Sequence, residues 1–119
     1  MEFAMLTYVS EKGAEEYEKL TPEEVAANIE VHNQWFAKHV DSITGGHHLA
    51  WPRRWGRIAD DHQLVIHDGP FGESKEALGG VILLIADSLE DALEIARTWP
   101  SLDSNFGATV EVIPLGGFE

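Results

Sequence analysis

Three groups of residues in this 119-residue chain have types that could do chemistry, and they lie far apart in sequence. His32 falls in the run VHNQWF, on one stripe with Val25, Ile29, Phe36 and Val40 if the segment is a helix turning about 100° per residue. Imidazole is the commonest proton carrier near neutral pH, so a His32 facing a pocket would serve as general acid or base. A histidine on an apolar helix face is equally suited to a core role, with one ring nitrogen bonded to a backbone carbonyl.

Asp68 opens the turn Asp68-Gly69-Pro70, where a carboxylate either accepts nearby backbone N–H groups or acts as a base or as an orienter of a histidine. Its neighbour His67 points to the opposite face of an extended chain, so the two do not form a pair by adjacency. The third group is WPRRWGR. Arg53 or Arg57 would hold a carboxylate or phenolate while Trp51 or Trp55 stacks on an aromatic ring. The plainer alternative is a surface loop in which tryptophan packs under arginine at a subunit contact.

A metal is not expected. His47 and His48 are adjacent and diverge in a strand, His32 and His39 are about two helical turns apart, and no HExxH spacing occurs. With no cysteine there is no disulfide framework, thiolate zinc site or cysteine nucleophile. No cofactor is called for by any motif.

The formal charge of −13, from 21 acidic against 8 basic residues, repels nucleic acid and anionic membranes, and Arg53, Arg54 and Arg57 form the only basic cluster. They suit a local anion site. The N-terminus lacks a signal-peptide pattern and no apolar run reaches the roughly 18 residues of a membrane span, so a cytoplasmic location is expected. The length and the 44% hydrophobic content fit one globular domain over residues 1–119.

The elements that must position these side chains follow from local pattern. FAMLTYV at residues 3–9 predicts a strand, and the polar stretch from Ser10 to Leu20 a loop or short turn of helix. Thr21, Pro22 and Glu24 supply an N-cap, a first-turn proline and a capping box for a helix running to about His39 or Val40. After an irregular stretch, LVIH predicts a strand, with a hairpin about Asp60 and Asp61. The polar loop containing Glu73, Ser74, Lys75 and Glu76 leads to Gly79 and Gly80, and then to the strand VILLIA. Asp87 or Ser88 caps a second helix that Pro100 stops, and ATVEVIPL ends the chain as a strand.

This order predicts an α+β fold of ferredoxin-like split βαβ type, with a four-stranded antiparallel sheet and two helices on one face. VILLIA is apolar on both sides, whereas two helices cover one face only. A homodimer packing sheet on sheet would cover the other.

The stretch HDGPFGESKEALGGVILLIADSLEDALEIARTWP, followed by ATVEVIP, resembles the YCII-related family and in particular its DGPF branch. The likeness is continuous from about Val65 to Pro114 and covers the N-terminal half mainly in layout. It implies a dimeric α+β barrel made of two ferredoxin-like subunits with a pocket in each half. Relatives include dehydrochlorinase-type enzymes acting on hydroxylated aromatics, for which a histidine and an aspartate are the proposed acid–base pair. His32 matches the histidine position. The aspartate position, just before the proline after the second helix, is Trp99 here; Asp103 is near in sequence but does not match, which leaves Asp68 as the candidate.

Two functions are therefore expected as alternatives. One is a cofactor-independent lyase-like or isomerase-like enzyme acting on a small anionic or aromatic ligand. It would use His32 and Asp68 for acid–base work, with Arg53, Arg57 and Trp51 binding the substrate. The other is a non-catalytic ligand-binding or protein-interaction module of the same fold without the dyad.

Overall fold

In the computed structural model, which describes residues 1–51 and 53–116, strand β1 spans Glu2–Ser10. Helix α1 (Glu11–Glu18) follows at once, the helical one of the two alternatives, a loop or a short turn of helix, that the sequence leaves for Ser10 to Leu20. Ser10 turns the strand into a helix because its hydroxyl accepts from the Gly13 amide at 2.9 Å, with Glu11 at the positive end of the helix dipole. Gly13 is required here, since a Cβ would run into the Phe106 carbonyl.

Helix α2 (Pro22–Lys38) starts as its residues dictate. The Thr21 hydroxyl accepts from the Glu24 amide at 3.2 Å, and the Glu24 carboxylate accepts from the Thr21 amide at 3.0 Å. Its packing face differs from the predicted stripe. Trp35 is its buried residue, while Ile29, Phe36 and Val40 are exposed. The inward line passes through His32, Trp35 and His39, because the indole N–H of Trp35 finds an acceptor in Thr98 at 2.9 Å.

The second strand of the main sheet is β2 (Ile43–His48), not LVIH. ITGGHH carries no strong strand propensity; its pairing with the central strand decides its conformation. LVIH lies in β4 (Leu64–Asp68), which pairs only with β3 (Arg54–Ile58) in a separate two-stranded sheet. The predicted hairpin about Asp60 and Asp61 thus exists, with Arg54 opposite Asp68 and Ile58 opposite Leu64. Its Ile58, Leu64 and Ile66 are all exposed.

Strand β5 (Glu76–Ile85) begins before the two glycines that the sequence reading placed at its entrance. Leu78 pairs with Tyr8 and Gly80 with Thr7, so Gly79 is the extra residue of a bulge. Ser88 then caps helix α3 (Leu89–Ala96) through the Asp91 amide at 3.1 Å. A short 3-10 turn (Pro100–Asp103) leads towards β6 (Thr109–Pro114).

The main sheet has the order β2-β5-β1-β6, antiparallel throughout. Helix α2 connects β1 to β2 and α3 connects β5 to β6, which is the split βαβ arrangement with the β3–β4 hairpin inserted between β2 and β5. Under the helices lie Phe3, Met5, Ile82 and Leu84 with Trp35, Ala92 and Ala96. On the other face Ala4, Leu6, Val81 and Leu83 are half-buried, and Ile85 and Ile113 are exposed. Sheet plus one helical layer gives the chain its 18 Å shortest dimension. Among the described residues, no helix is long and apolar enough to cross a membrane.

Candidate functional site

The histidine of α2 is held at both ring nitrogens. His32 Nδ1 lies 2.7 Å from the backbone carbonyl of Asn28, one turn earlier, and Nε2 lies 2.9 Å from Ser101 Oγ. A carbonyl only accepts, so Nδ1 carries a proton; in the neutral ring Nε2 is then the acceptor and the Ser101 hydroxyl donates. Trp99 stands edge-on to the imidazole, with ring centroids 4.8 Å apart. His32 is half-buried in this setting.

The segment leaving α3 supplies the other half of the site. Trp99 also meets Trp35 at 5.0 Å and Phe36 at 5.9 Å, so one indole spaces α2 from the 3-10 turn. Thr98 accepts from Trp35 Nε1, donates to the Ile95 carbonyl at 2.7 Å and approaches His39 Nε2 at 3.3 Å. Burial first, and the Lys38 charge second, lower the His39 pKa below its ordinary 6.5. The position that the resemblance assigns to an aspartate, Trp99, does touch His32, but with an indole that can neither take nor give a proton at the ring.

Asp68 is elsewhere. At the end of β4 its exposed carboxylate sits 3.4 Å from Arg54 Nε across the hairpin, and none of the hydrogen bonds of His32 involves it. Arg53 donates to the Leu78 carbonyl at 2.7 Å and to that of Pro70 at 3.5 Å, with its guanidinium 5.8 Å from the Trp51 ring. Trp51 in turn meets Phe71 edge-on at 5.6 Å. Tryptophan under arginine is therefore present, and it fastens the DGPF turn to β5.

Arg57 remains exposed on the hairpin, opposite Val65. His67 and Trp55 lie on the same hairpin face with centroids 4.7 Å apart, and Trp55 Nε1 donates to the Gly69 carbonyl at 2.8 Å. Gly72, at φ 54°, closes this turn over them; a Cβ there would come within 2.9 Å of Trp55 and 3.2 Å of His67. The binding candidates and His32 thus belong to different parts of the chain.

Two open clefts lie outside both groups, one lined by Ser10, Lys12, Gly13, Glu16, Asn105 and Gly107, the other by Leu93, Glu94, Ala96, Arg97, Leu102 and Val110. His32 lines neither. Among the described residues, no three acidic or histidine side chains are placed to hold a metal ion. On the open sheet face the Tyr8 phenol has its pKa raised from 10.0, chiefly by the nearby Glu111 carboxylate, with burial and the charge of Glu76 adding to it.

Sequence reasoning did not find Ser101 or Thr98. Their hydrogen-bond partners on α2 are 69 and 63 positions away, and a serine after a proline carries no signal of its own. The one available hint was that the matched aspartate position lies two residues before Ser101.

Comparison with solved structures gives a 5-chloro-2-hydroxyhydroquinone dehydrochlorinase from Burkholderia phenoliruptrix AC1100, in complex with 2,5-dihydroxybenzoquinone. It shares 14% identity and a TM-score of 0.55, over 98% of this chain and 94% of that one. At that identity the likeness is one of fold. No curated protein sequence matches the chain. The model of the YCII-related domain matches residues 1–116, from β1 past the end of β6 and including both α2 and the turn that meets it. By that match over nearly its whole length, the chain belongs to the YCII-related domain family.

Proposed function

We propose that the chain is a small cofactor-independent enzyme that uses His32 as its proton carrier on a small anionic or hydroxylated aromatic substrate, in lyase-like or isomerase-like chemistry. The observation that carries this reading is the fixed ring. With Nδ1 held by the Asn28 carbonyl, one nitrogen of His32 is committed to structure, and Nε2, which faces the Ser101 hydroxyl, is the one left to exchange a proton. The likeness of fold to a dehydrochlorinase caught with 2,5-dihydroxybenzoquinone supports the substrate class.

In this reading a single domain over residues 1–119 pairs with a second copy through the open sheet face, as the apolar Val81, Leu83 and Ile85 favour, closing a dimeric α+β barrel of the DGPF branch. Arg57 supplies the anion contact, since its guanidinium is exposed, while Arg53 and Trp51 shape the adjoining wall. Asp68 serves as an orienter of the hairpin through Arg54 more readily than as a base.

The second reading, a ligand-binding module, is favoured by Trp99 at the matched aspartate position and by the engagement of Asp68 with Arg54. One experiment separates the two. Binding of 2,5-dihydroxybenzoquinone and of simple phenols and aromatic carboxylates is measured by thermal shift, and turnover of a chlorinated hydroxyhydroquinone by chloride release. The enzyme reading expects binding that weakens about tenfold or more in Arg57→Ala, and turnover lost in His32→Gln. Binding without turnover supports the module. No binding at all refutes the substrate class.

A further inference from the structure

The proton on Nδ1 determines more than the ring's tautomer. Because that N–H donates to the Asn28 carbonyl, the lone pair on Nε2 faces Ser101 Oγ at 2.9 Å, and the hydroxyl points its own proton at it. This is the resting arrangement from which a base removes a proton from an alcohol.

Two further contacts hold the pair in register. The edge of Trp99 limits rotation of the imidazole. On the other side, the Ser101 carbonyl accepts from the Ser104 hydroxyl at 2.6 Å and from the Ser104 amide at 3.3 Å, clamping the backbone that carries Oγ. Ser101 is half-buried, and His32 is the only partner its hydroxyl has among the described residues.

We propose that Ser101 is a nucleophile activated by His32, and that the chain forms an acyl-serine from small activated esters such as aryl acetates. The inference rests on His32 being the proton carrier, and on no other part of the functional reading. In the first step His32 Nε2 takes the Ser101 proton while Oγ bonds to the acyl carbon; the bond from that carbon to the aryl oxygen breaks, and Nε2 returns the proton to the departing oxide. Water then repeats the exchange, releasing the carboxylic acid and restoring the serine hydroxyl. The third group that orients the base is here a backbone carbonyl and not a carboxylate, so the imidazolium formed in each step lacks a counter-charge and both steps are slow; an aryl oxide leaves more readily than the serine alkoxide, so acylation by an aryl ester outpaces deacylation.

The test uses the full chain and p-nitrophenyl acetate. Expected are a burst of p-nitrophenolate equal to the protein concentration and a single acetyl group on Ser101, located by peptide mass spectrometry. Ser101→Ala abolishes the burst, His32→Gln slows it by about a hundredfold or more, and Ser101→Cys restores labelling. Far-UV circular dichroism of each variant verifies the fold, and Ser101→Cys keeps the test decisive if Ser101→Ala unfolds. A burst that survives Ser101→Ala, or acetyl groups found on His32 or surface lysines with Ser101 unmodified, overturns the proposal. Chloride release that is lost in His32→Gln, from a chain that gives no burst, overturns the nucleophile alone; a burst and chloride release that both survive His32→Gln overturn the role of His32 as well.

Discussion

Removing the Trp35 side chain should release α2 from the rest of the chain and take His32 with it. Trp35 is 4% exposed and meets Phe36, His39 and Trp99 at centroid separations of 5.2, 4.9 and 5.0 Å. Trp35→Ala loses that packing and leaves a cavity, at a cost of about 3–5 kcal/mol. Trp35→Phe keeps a ring and loses the indole N–H to Thr98. Thr98 Oγ1 still donates to the Ile95 carbonyl and still meets His39, so no polar group is orphaned, and the cost is about 1–2 kcal/mol. Set against a total stability on the order of 5–15 kcal/mol, the alanine variant is marginal and the phenylalanine variant folded. Urea midpoints followed by far-UV circular dichroism, with hydrogen exchange of α2 compared with β1, give both numbers. Equal losses in the two variants would show that the hydrogen bond and not the packing fastens α2, and a loss below about 1 kcal/mol in Trp35→Ala would refute the reasoning outright.

The two faces of β5 should respond differently to charge: Leu84→Asp, at a fully buried position, prevents folding, whereas Leu83→Asp leaves a folded chain that sediments as a monomer. Sedimentation and circular dichroism check both, and an unchanged dimer in Leu83→Asp would place the subunit contact elsewhere. Since His39 has a lowered pKa in the folded chain, the unfolded chain binds its proton first as pH falls. Its contribution is whole above about pH 6.5 and is lost as pH falls through the lower folded value. The urea midpoint of His39→Gln should therefore depend less on pH between about 7 and 5 than that of the parent, and an equal dependence would contradict the assignment. Gly72→Ala, strained at positive φ and pressed against Trp55 and His67, should shift the Trp55 fluorescence and loosen the DGPF turn while leaving α2 exchange rates unchanged.

What was legible in the sequence was whatever is decided locally. The capping box of Thr21 and Glu24, the Ser88 cap, the apolar run of β5 and the alternation of β6 each determine their own element, and the order of elements then implies the split βαβ sheet. Strand β2 was not legible, because ITGGHH is extended only through pairing with β5. Nor was the exclusion of LVIH from the main sheet, since a strand pattern does not say which strand it joins. The choice of Trp35 over Phe36 as the buried ring depends on Thr98, and the partner of His32 depends on Ser101, both brought in by tertiary packing. His32 was legible as a candidate by residue type alone; its proton arrangement required the Asn28 carbonyl.

The β3–β4 hairpin enters and leaves the fold at neighbouring points of one strand. The Leu49 amide donates to the Gly79 carbonyl at 3.0 Å, and Arg53 reaches the carbonyl of Leu78 beside it, so the root of the insertion is pinned to β5 while its tip stands clear. The four-stranded order would close equally well around a shorter connection from β2 to β5. Lengthening, trimming or recomposing this excursion beyond Arg53 therefore leaves the core register intact, and Arg54 and Arg57 can be exchanged for other side chains without disturbing the histidine built into α2. On the function proposed above, the part that would recognise a ligand and the part that would move protons are free to diverge at different rates within one chain.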